Sequence, residues 1–217
     1  MVFLGHKWSN GKLEPDDSKF KIIRDFKAPT TQKQIKSCLG VTGYWRRFIK
    51  NYSQIASPLR ELLNDGVKFV WSEKCEKAFE TLKEAIISKP VLALPDFNKP
   101  FILTTDASTH GFGYVLSQRN ADGHEQPVCY SGRALTNAEK NYSVTDLEVA
   151  ALVGGVKEFH VYLADKEFEI FTDHISATFL NTMKLSGNNR LARAAIYLQG
   201  YKFKISYKKG STNNVAD

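Results

Sequence analysis

The stretch Thr104–Gln118, TTDASTHGFGYVLSQ, decides the fold class because it joins two β-rich runs and carries an aspartate between them. Asp106 comes where the apolar run Phe101-Ile102-Leu103 is ending, and Gly111 and Gly113 open the second run. An ionised carboxylate is costly to bury unless something pairs with it. Our hypothesis is that the partner of Asp106 is a metal ion, shared with three other carboxylates far along the chain.

Toward the C-terminus, runs typical of strands alternate with runs typical of helices. The predicted strands are Phe101–Thr105, Phe112–Ser117, Gln126–Ser131, Glu167–Thr172 and Phe203–Tyr207, with a turn at Ala121-Asp122-Gly123. The predicted helices are one long helix from about Thr136 to Leu163 and shorter pieces at Ala177–Leu180 and Arg190–Leu198. This order predicts an α/β (α+β) fold, with a mixed five-stranded sheet and helices packed on its faces. Gly154-Gly155 inside the long helix either let it approach the sheet closely or mark a distortion.

The first 95 residues have a different pattern, with short β-like pieces followed mostly by helix. The β-like pieces are Val2–Leu4 and Phe20–Ile23, and Asn10-Gly11 predicts a hairpin turn. Thr30 or Thr31 is the expected cap of a helix that runs through QKQIKSCLGVTGYWRRFIKNY. Two more helices are predicted, at SPLRELL with Pro58 at its start and at EKCEKAFETLKEAI after Ser72. Lys89-Pro90 and Leu94-Pro95 then mark a connector.

Composition supports a folded core and excludes several classes of protein. The chain is 42% hydrophobic and 12% aromatic, and no apolar run reaches the roughly 18–20 residues of a membrane span. The N-terminus does not have the pattern of a signal peptide. Three widely spaced cysteines, Cys38, Cys75 and Cys129, offer neither a disulfide framework nor a zinc motif and suit a reducing compartment.

The positive charge lies entirely in the first part of the chain. Residues 1–95 hold 17 Lys and Arg against 10 Asp and Glu, whereas residues 96–217 hold 13 of each kind. Such a local excess indicates either a track for nucleic acid or an ordinary basic surface, and charge alone does not choose between them.

Four acidic residues have the positions expected of a shared metal site. Asp106 and Asp173 end the first and fourth predicted strands, Glu148 lies beside the apolar face of the long helix, and Asp217 follows the fifth strand. If the first and fourth strands are parallel neighbours, Asp106 and Asp173 lie side by side at the carboxyl edge where open α/β sheets bind ligands. Carboxylate oxygens favour Mg²⁺ or Mn²⁺, and two such ions can activate a water and stabilise the leaving oxygen of a phosphodiester. The residues alone leave open that these acids are a turn cap, a solvated helix residue and an ordinary terminal residue.

Eight segments spread along the chain occur in the same order as in one known family. They are VFLGH, SCLGVTGYWRRFIKNYSQIASPL, FVWSEKCEKAFETLKEAI, PVLALPDFNKPFILTTDAS, NYSVTDLEVAALV, FEIFTDH, RLARAAIYLQGYKFKISYKKG and NNVAD. In these segments the chain resembles the C-terminal part of the reverse transcriptase of gypsy-type LTR retrotransposons. The resemblance implies the end of the polymerase palm at residues 1–28, with VFLGH similar to the primer-grip hairpin. It implies a thumb-like helical region at residues 29–95 and an RNase H domain at residues 96–217.

The resemblance also implies a function and a cofactor. Asp106, Glu148, Asp173 and Asp217 match the family's acid set, which binds two Mg²⁺ or Mn²⁺ ions and hydrolyses the RNA strand of an RNA–DNA hybrid. The Tyr-x-Asp-Asp motif of the RNA-directed DNA polymerase is absent, so we expect this fragment alone not to synthesise DNA. The expected partners are hybrid or duplex nucleic acid and the remainder of the polyprotein, without a membrane. The expected location is intracellular, either a cytoplasmic virus-like particle or the nucleus.

Further site residues are expected near the acids and in the basic first part. His174 resembles the histidine of the family's Asp-His pair, and Tyr207 stands where many cellular RNases H have a mobile histidine. On the segment GYWRRFIKNY, we expect Trp45, Phe48 and Tyr52 to be core and the basic residues to face phosphate or water. The candidate nucleic-acid contacts are Arg46, Arg47, Lys50, Ser108, Arg190 and Arg193.

Two other functional classes stay open. The first is a catalytically inactive remnant that only binds duplex nucleic acid, because the chain starts inside a folded element as a fragment would. The second is another member of the RNase H-like fold, such as a DNA-cutting nuclease or an integrase. The long thumb-like match ahead of the acids disfavours the second class.

Overall fold

The computed structural model describes residues 2–3, 6–9, 11–16, 23–88, 90–173 and 189–208. These residues form two β-sheets and two hydrophobic cores. Asp217, His174 and the predicted helical piece at Ala177–Leu180 lie outside the described residues. None of the described helices is long and apolar enough to cross a membrane.

The larger sheet confirms the predicted five-stranded mixed fold. Its strands are β5 (Phe101–Ala107), β6 (Gly111–Arg119), β7 (Glu125–Ala134), β8 (Glu167–Thr172) and β9 (Lys202–Tyr207), and their order across the sheet is β7-β6-β5-β8-β9. Strands β5, β6 and β7 are antiparallel neighbours, whereas β8 runs parallel to both β5 and β9. The carboxyl ends of β5 and β8 therefore meet at one edge of the sheet.

The helix predicted from Thr136 to Leu163 is wrong as a single element. A 3-10 turn at Glu139–Asn141 comes first, helix α5 then spans Val144–Glu158, and the short helix α6 spans His160–Leu163. The break has a local cause, because the Ser143 hydroxyl accepts a hydrogen bond from the Asp146 amide and caps a new helix. Helix α7 spans Asn189–Leu198 and packs against α5.

The two glycines in α5 let the helix lie close to the sheet. A Cβ on Gly154 would collide with the Tyr114 hydroxyl. A Cβ on Gly155 would come within 3.1 Å of Thr105 Cγ2 and 3.2 Å of Leu103 Cδ1. The close approach therefore offsets the helix propensity that two interior glycines lose.

The smaller sheet belongs to the first part of the chain and has four antiparallel strands. They are β1 (Val2–Phe3), β2 (His6–Ser9), β3 (Lys12–Pro15) and β4 (Leu92–Ala93), in that order. Ser9 pairs with Lys12, which confirms the two-residue hairpin turn, and Gly11 has a φ of +72°. Strand β4 lies where only a connector was predicted. Of the predicted β-like piece Phe20–Ile23, Ile23 is in a helical turn and the rest lies outside the described residues.

The helix predicted through QKQIKSCLGVTGYWRRFIKNY is also wrong as a single element. Helix α1 (Gln32–Tyr44), capped by Thr31, is followed by a 3-10 turn at Arg46–Phe48 and by helix α2 (Tyr52–Ile55). The chain bends at Asn51, whose φ of 54° is left-handed, a conformation that asparagine tolerates better than most residues. Helices α3 (Ser57–Glu61, with Pro58 in its first turn) and α4 (Glu73–Ile87) follow as predicted.

The first part of the chain covers one face of the larger sheet, and α5 covers the other. The 3-10 turn and α2 pack on β6 and β7, so β6 is buried along nearly its whole length. Trp45, Phe48 and Tyr52 are all buried, as predicted, in the core of the first part. The predicted domain boundaries at residues 28 and 95 stay predictions.

Candidate active site

Asp106 lies near the end of β5, at the edge where β5 and β8 end. It pairs with Gly113 of β6, and its side chain reaches the surface. Burial of the strand end and the nearby Asp173 carboxylate both raise the pKa of Asp106 above its usual value. The Lys50 charge and a hydrogen-bonding interaction with Gln54 oppose this rise.

Asp173 directly follows β8, and the strand register sets its position. Thr104 of β5 pairs with Phe171 of β8, so the same register extended by two residues brings Asp173 beside Asp106. Parallel neighbouring strands therefore bring together two acids that are far apart in the sequence. The two carboxylates lie close enough to repel each other.

Glu148 is the third member of this acid cluster and the most buried one. It lies on α5 and is 7% exposed. Burial raises its pKa to about 7, and the charges of Asp173 and Asp106 contribute to the rise. Its Oε2 atom is buried without a hydrogen-bond partner. A buried, unpaired carboxylate oxygen facing two further acids is the kind of donor that a hard divalent cation satisfies.

The three acids are near one another but do not yet have the geometry of a ligand set. Within the described ranges, no three His, Cys, Asp or Glu side chains have the spacing that would hold a metal ion. A cation bound among the three acids would remove their mutual repulsion. Asp217, the predicted fourth ligand, and His174 lie outside the described residues, so their part in the site stays a prediction.

Two other predicted residues lie at this edge. Tyr207 ends β9 and pairs with Thr172, the residue before Asp173, with its side chain half exposed. The Ser108 hydroxyl donates to the Gly111 carbonyl and accepts from the His110 and Gly111 amides. Ser108 therefore holds the β5–β6 turn in place, and its predicted contact with nucleic acid stays a prediction.

The basic residues of the first part have different surroundings from one another. Arg46 is exposed in the 3-10 turn. Arg47 is half-buried, its Nε atom is fully buried, and its charge opposes the burial that raises the pKa of the Cys129 thiol. Lys50 is half-buried and lies near Asp106. Of these three residues, Lys50 has a charge that lowers the pKa of Asp106.

Arg190 and Arg193 belong to a separate surface. They line a cavity of ≈640 Å³ that α5 and α7 border and that does not include the acid cluster. Arg190 lies 3.4 Å from the Asp146 carboxylate and stacks 4.1 Å from the centre of the Tyr142 ring. The predicted role of these arginines in phosphate binding stays a prediction.

Sequence reasoning missed Gln54. Its side chain donates a hydrogen bond of 3.1 Å to the Ser108 hydroxyl and interacts with Asp106. Gln54 and Ser108 are 54 residues apart, and no sequence pattern links them. Only the packing of α2 on the sheet brings them together.

Comparisons with known proteins agree with this fold. Residues 71–170 match the family model of the RNase H-like domain found in reverse transcriptase. Over 217 residues the chain is 38% identical to the retrovirus-related Pol polyprotein from transposon 412 and 42% identical to that from transposon 297, both of Drosophila melanogaster. These alignments cover 100% and 99% of this chain but 17% and 20% of the relatives. The chain thus spans no more than about a fifth of their length.

A solved structure has the same fold. The foamy viral protease-reverse transcriptase in complex with RNA/DNA hybrid superposes with a TM-score of 0.78 at 20% identity, over 97% of this chain and 29% of that chain. The fold and the family match together define an RNase H-like domain. More particularly, residues 71–170 are similar to the RNase H-like domain found in reverse transcriptase, and the chain along its whole length is similar to part of retrovirus-related Pol polyproteins from transposons.

Proposed function

We propose that this chain is a reverse-transcriptase fragment whose RNase H-like domain hydrolyses the RNA strand of RNA–DNA hybrids with the help of two divalent cations. The observation that carries the proposal is the acid cluster. Asp106, Glu148 and Asp173 repel one another, and Glu148 keeps a buried oxygen without a partner. Such an arrangement is unfavourable by itself and becomes favourable when cations neutralise it.

The donor set fits Mg²⁺ or Mn²⁺, because every candidate ligand is a carboxylate. Asp106, Glu148 and Asp173 would hold the ions, with Asp217 as the proposed fourth ligand. Bound ions would supply an activated water and charge stabilisation for the leaving oxygen. The fold of the chain fixes the position of the reaction, because the ends of β5 and β8 set the distance between Asp106 and Asp173.

Several features support an RNA–DNA hybrid as the substrate. The foamy viral protease-reverse transcriptase, which has the same fold, was solved with an RNA/DNA hybrid, and the chain is similar to a retrovirus-related Pol polyprotein. The first part of the chain also holds the whole basic excess, which would attract a polyanion. Polymerase activity is outside the proposal, because the 217 residues contain no Tyr-x-Asp-Asp motif.

The test is cleavage of a hybrid labelled on its RNA strand, with duplex RNA and duplex DNA in parallel. We expect the purified chain to cut only the RNA of the hybrid, to require Mg²⁺ or Mn²⁺ and to stop in EDTA. Asp106→Asn should abolish cutting, whereas Asp122→Asn, in the exposed β6–β7 turn, should not. Binding of the hybrid without cutting would overturn the proposal in favour of an inactive remnant. Cutting of duplex DNA instead would favour a different nuclease of the same fold.

A further inference from the structure

The segment Lys50–Gln54 reaches from the first part of the chain to the acid cluster. Asn51, with its left-handed backbone, ends the preceding turn, and its carbonyl accepts hydrogen bonds from the Gln54 and Ile55 amides at 2.9 and 3.0 Å. The bend starts α2 in a new direction, across β6 and β7. As a result, Gln54 after the bend reaches Ser108, two residues beyond Asp106, and the charge of Lys50 before the bend acts on the Asp106 carboxylate.

Gln54 is bound to the strand end that carries Asp106. Its amide donates to the Ser108 hydroxyl, two residues beyond Asp106. That hydroxyl also holds the β5–β6 turn through the Gly111 carbonyl and the His110 and Gly111 amides. Movement of Gln54 would therefore be transmitted to the turn and to the end of β5.

Asn51 makes a second, independent contact at the same place. Gly113 pairs with Asp106 across β5 and β6. A Cβ on Gly113 would lie 2.7 Å from the Asn51 Oδ1 atom and 3.9 Å from the Asp106 Cβ atom. The bare backbone of Gly113 thus makes room for the Asn51 side chain directly beside Asp106.

We propose that the segment Lys50–Gln54 is a working part of the nuclease site. Gln54 positions the end of β5, and Lys50 supplies a positive charge that partly balances the acid cluster. The site would then be shared between the RNase H-like domain and the helical part that precedes it. This inference rests on the proposed function, because it assigns Lys50 and Gln54 as positioning residues for that reaction.

The two residues should affect different quantities. Lys50 lowers the repulsion among the acids in the cation-free protein, but it also repels a divalent cation that binds there. Replacing it should therefore destabilise the cation-free site and strengthen cation binding. Gln54 carries no charge, so replacing it should leave cation affinity nearly unchanged and reduce the rate of cleavage by loosening the end of β5.

The first experiment measures the electrostatic role without any activity. In EDTA, near pH 8, unfolding by urea is followed for the 217-residue chain, Lys50→Met, Asp106→Asn and the double variant. We expect Lys50→Met to raise the unfolding equilibrium constant in the wild-type background by about three- to tenfold more than in the Asp106→Asn background. Lys166→Met is the matched control, because exposed Lys166 precedes β8, at the opposite end of that strand from Asp173. Its effect should be the same in both backgrounds.

The second experiment titrates Mn²⁺ by calorimetry and measures hybrid cleavage on the same samples. Lys50→Met should bind Mn²⁺ about threefold more tightly than the wild type at low salt, and Lys50→Arg should match the wild type. Gln54→Ala should lower kcat about three- to tenfold with KM within about twofold. Circular dichroism establishes that each variant is folded before it is compared.

The outcomes separate the inference from the function on which it rests. Additive effects of Lys50→Met and Asp106→Asn, together with unchanged Mn²⁺ affinity and kcat in the variants, would overturn the inference alone. A wild-type chain that neither binds Mn²⁺ nor cuts the hybrid would overturn the proposed function and the inference with it. Coupling in EDTA together with the shift in Mn²⁺ affinity would support the shared site.

Discussion

Two buried glutamates, Glu139 and Glu148, have opposite electrostatic surroundings. Glu139 is 9% exposed and Glu148 is 7% exposed, so burial alone does not distinguish them. The pKa of Glu139 is lowered to about 2, chiefly by its hydrogen bonds with Arg133, whereas the pKa of Glu148 is raised to about 7. At Glu148, burial raises the pKa and the two acidic neighbours add to the rise, whereas at Glu139 the hydrogen bonds with Arg133 outweigh the effect of burial.

Both oxygens of the Glu139 carboxylate accept hydrogen bonds from other residues of the fold. Two nitrogens of the Arg133 guanidinium donate to its two carboxylate oxygens at 2.6 and 2.7 Å, and the Thr136 amide and hydroxyl donate at 2.8 and 2.9 Å. Together these four hydrogen bonds hold the 3-10 turn against β7. Glu148, by contrast, has a buried oxygen without a partner and two acidic neighbours. A carboxylate with a full set of partners has a structural role, and one left in repulsion is a candidate for chemistry.

The largest expected effect is on cleavage. Glu148→Gln should reduce hybrid cleavage at least about 100-fold, because the amide loses the charge that holds a cation. Glu139→Gln, the matched change at the glutamate that is paired with Arg133, should reduce the rate only in proportion to the unfolded fraction. Both rates are measured on protein quantified as folded by circular dichroism. Equal losses in the two variants would remove the functional distinction between the glutamates.

The next largest effect is on stability, and here the change at Glu139 should have the larger effect of the two. Glu139→Gln should lower the free energy of unfolding by about 2 kcal/mol, because charge-assisted hydrogen bonds to Arg133 and Thr136 are lost. In EDTA, Glu148→Gln should not lower it, because that change relieves repulsion. Urea unfolding of both variants at neutral pH gives the two values. A destabilised Glu148→Gln protein would mean that Glu148 has a structural partner after all.

Much of the larger sheet was predictable because its strands are continuous runs of β-forming residues. The run around Phe101-Ile102-Leu103 identified β5, and EFEIFT identified β8. Once these two strands are parallel neighbours, the proximity of Asp106 and Asp173 follows from register alone. Glu148 was predictable as the acid beside the apolar face of a helix that crosses the sheet.

The remaining features depend on contacts between distant residues. The bend at Asn51 was missed because Trp45, Phe48 and Tyr52 have helical spacing, and their burial is achieved without a single helix. Strand β4 has two residues and exists only because β3 lies beside it. Gln54 reaches Asp106 and Ser108 only through the packing of α2 on the sheet. A propensity or period in the sequence carries no information about such contacts.

The smallest expected effect is on the pH dependence of stability, and its sign differs between the two glutamates. The folded pKa of Glu139 is below its reference value of 4.5, so its contribution is present above about pH 4.5 and is lost as the pH falls toward about 2. The folded pKa of Glu148 is above 4.5, so its contribution is present below about pH 4.5 and is lost as the pH rises through about 7. In EDTA, Glu148→Gln should therefore exceed the wild type in unfolding free energy by roughly 1 kcal/mol near pH 8, because solvent screens part of the repulsion from the exposed Asp106 and Asp173. That advantage should vanish near pH 5, and Mg²⁺ should reduce it near pH 8 by stabilising only the wild type. An advantage that is independent of pH would show that the pKa of Glu148 is not raised in the folded protein.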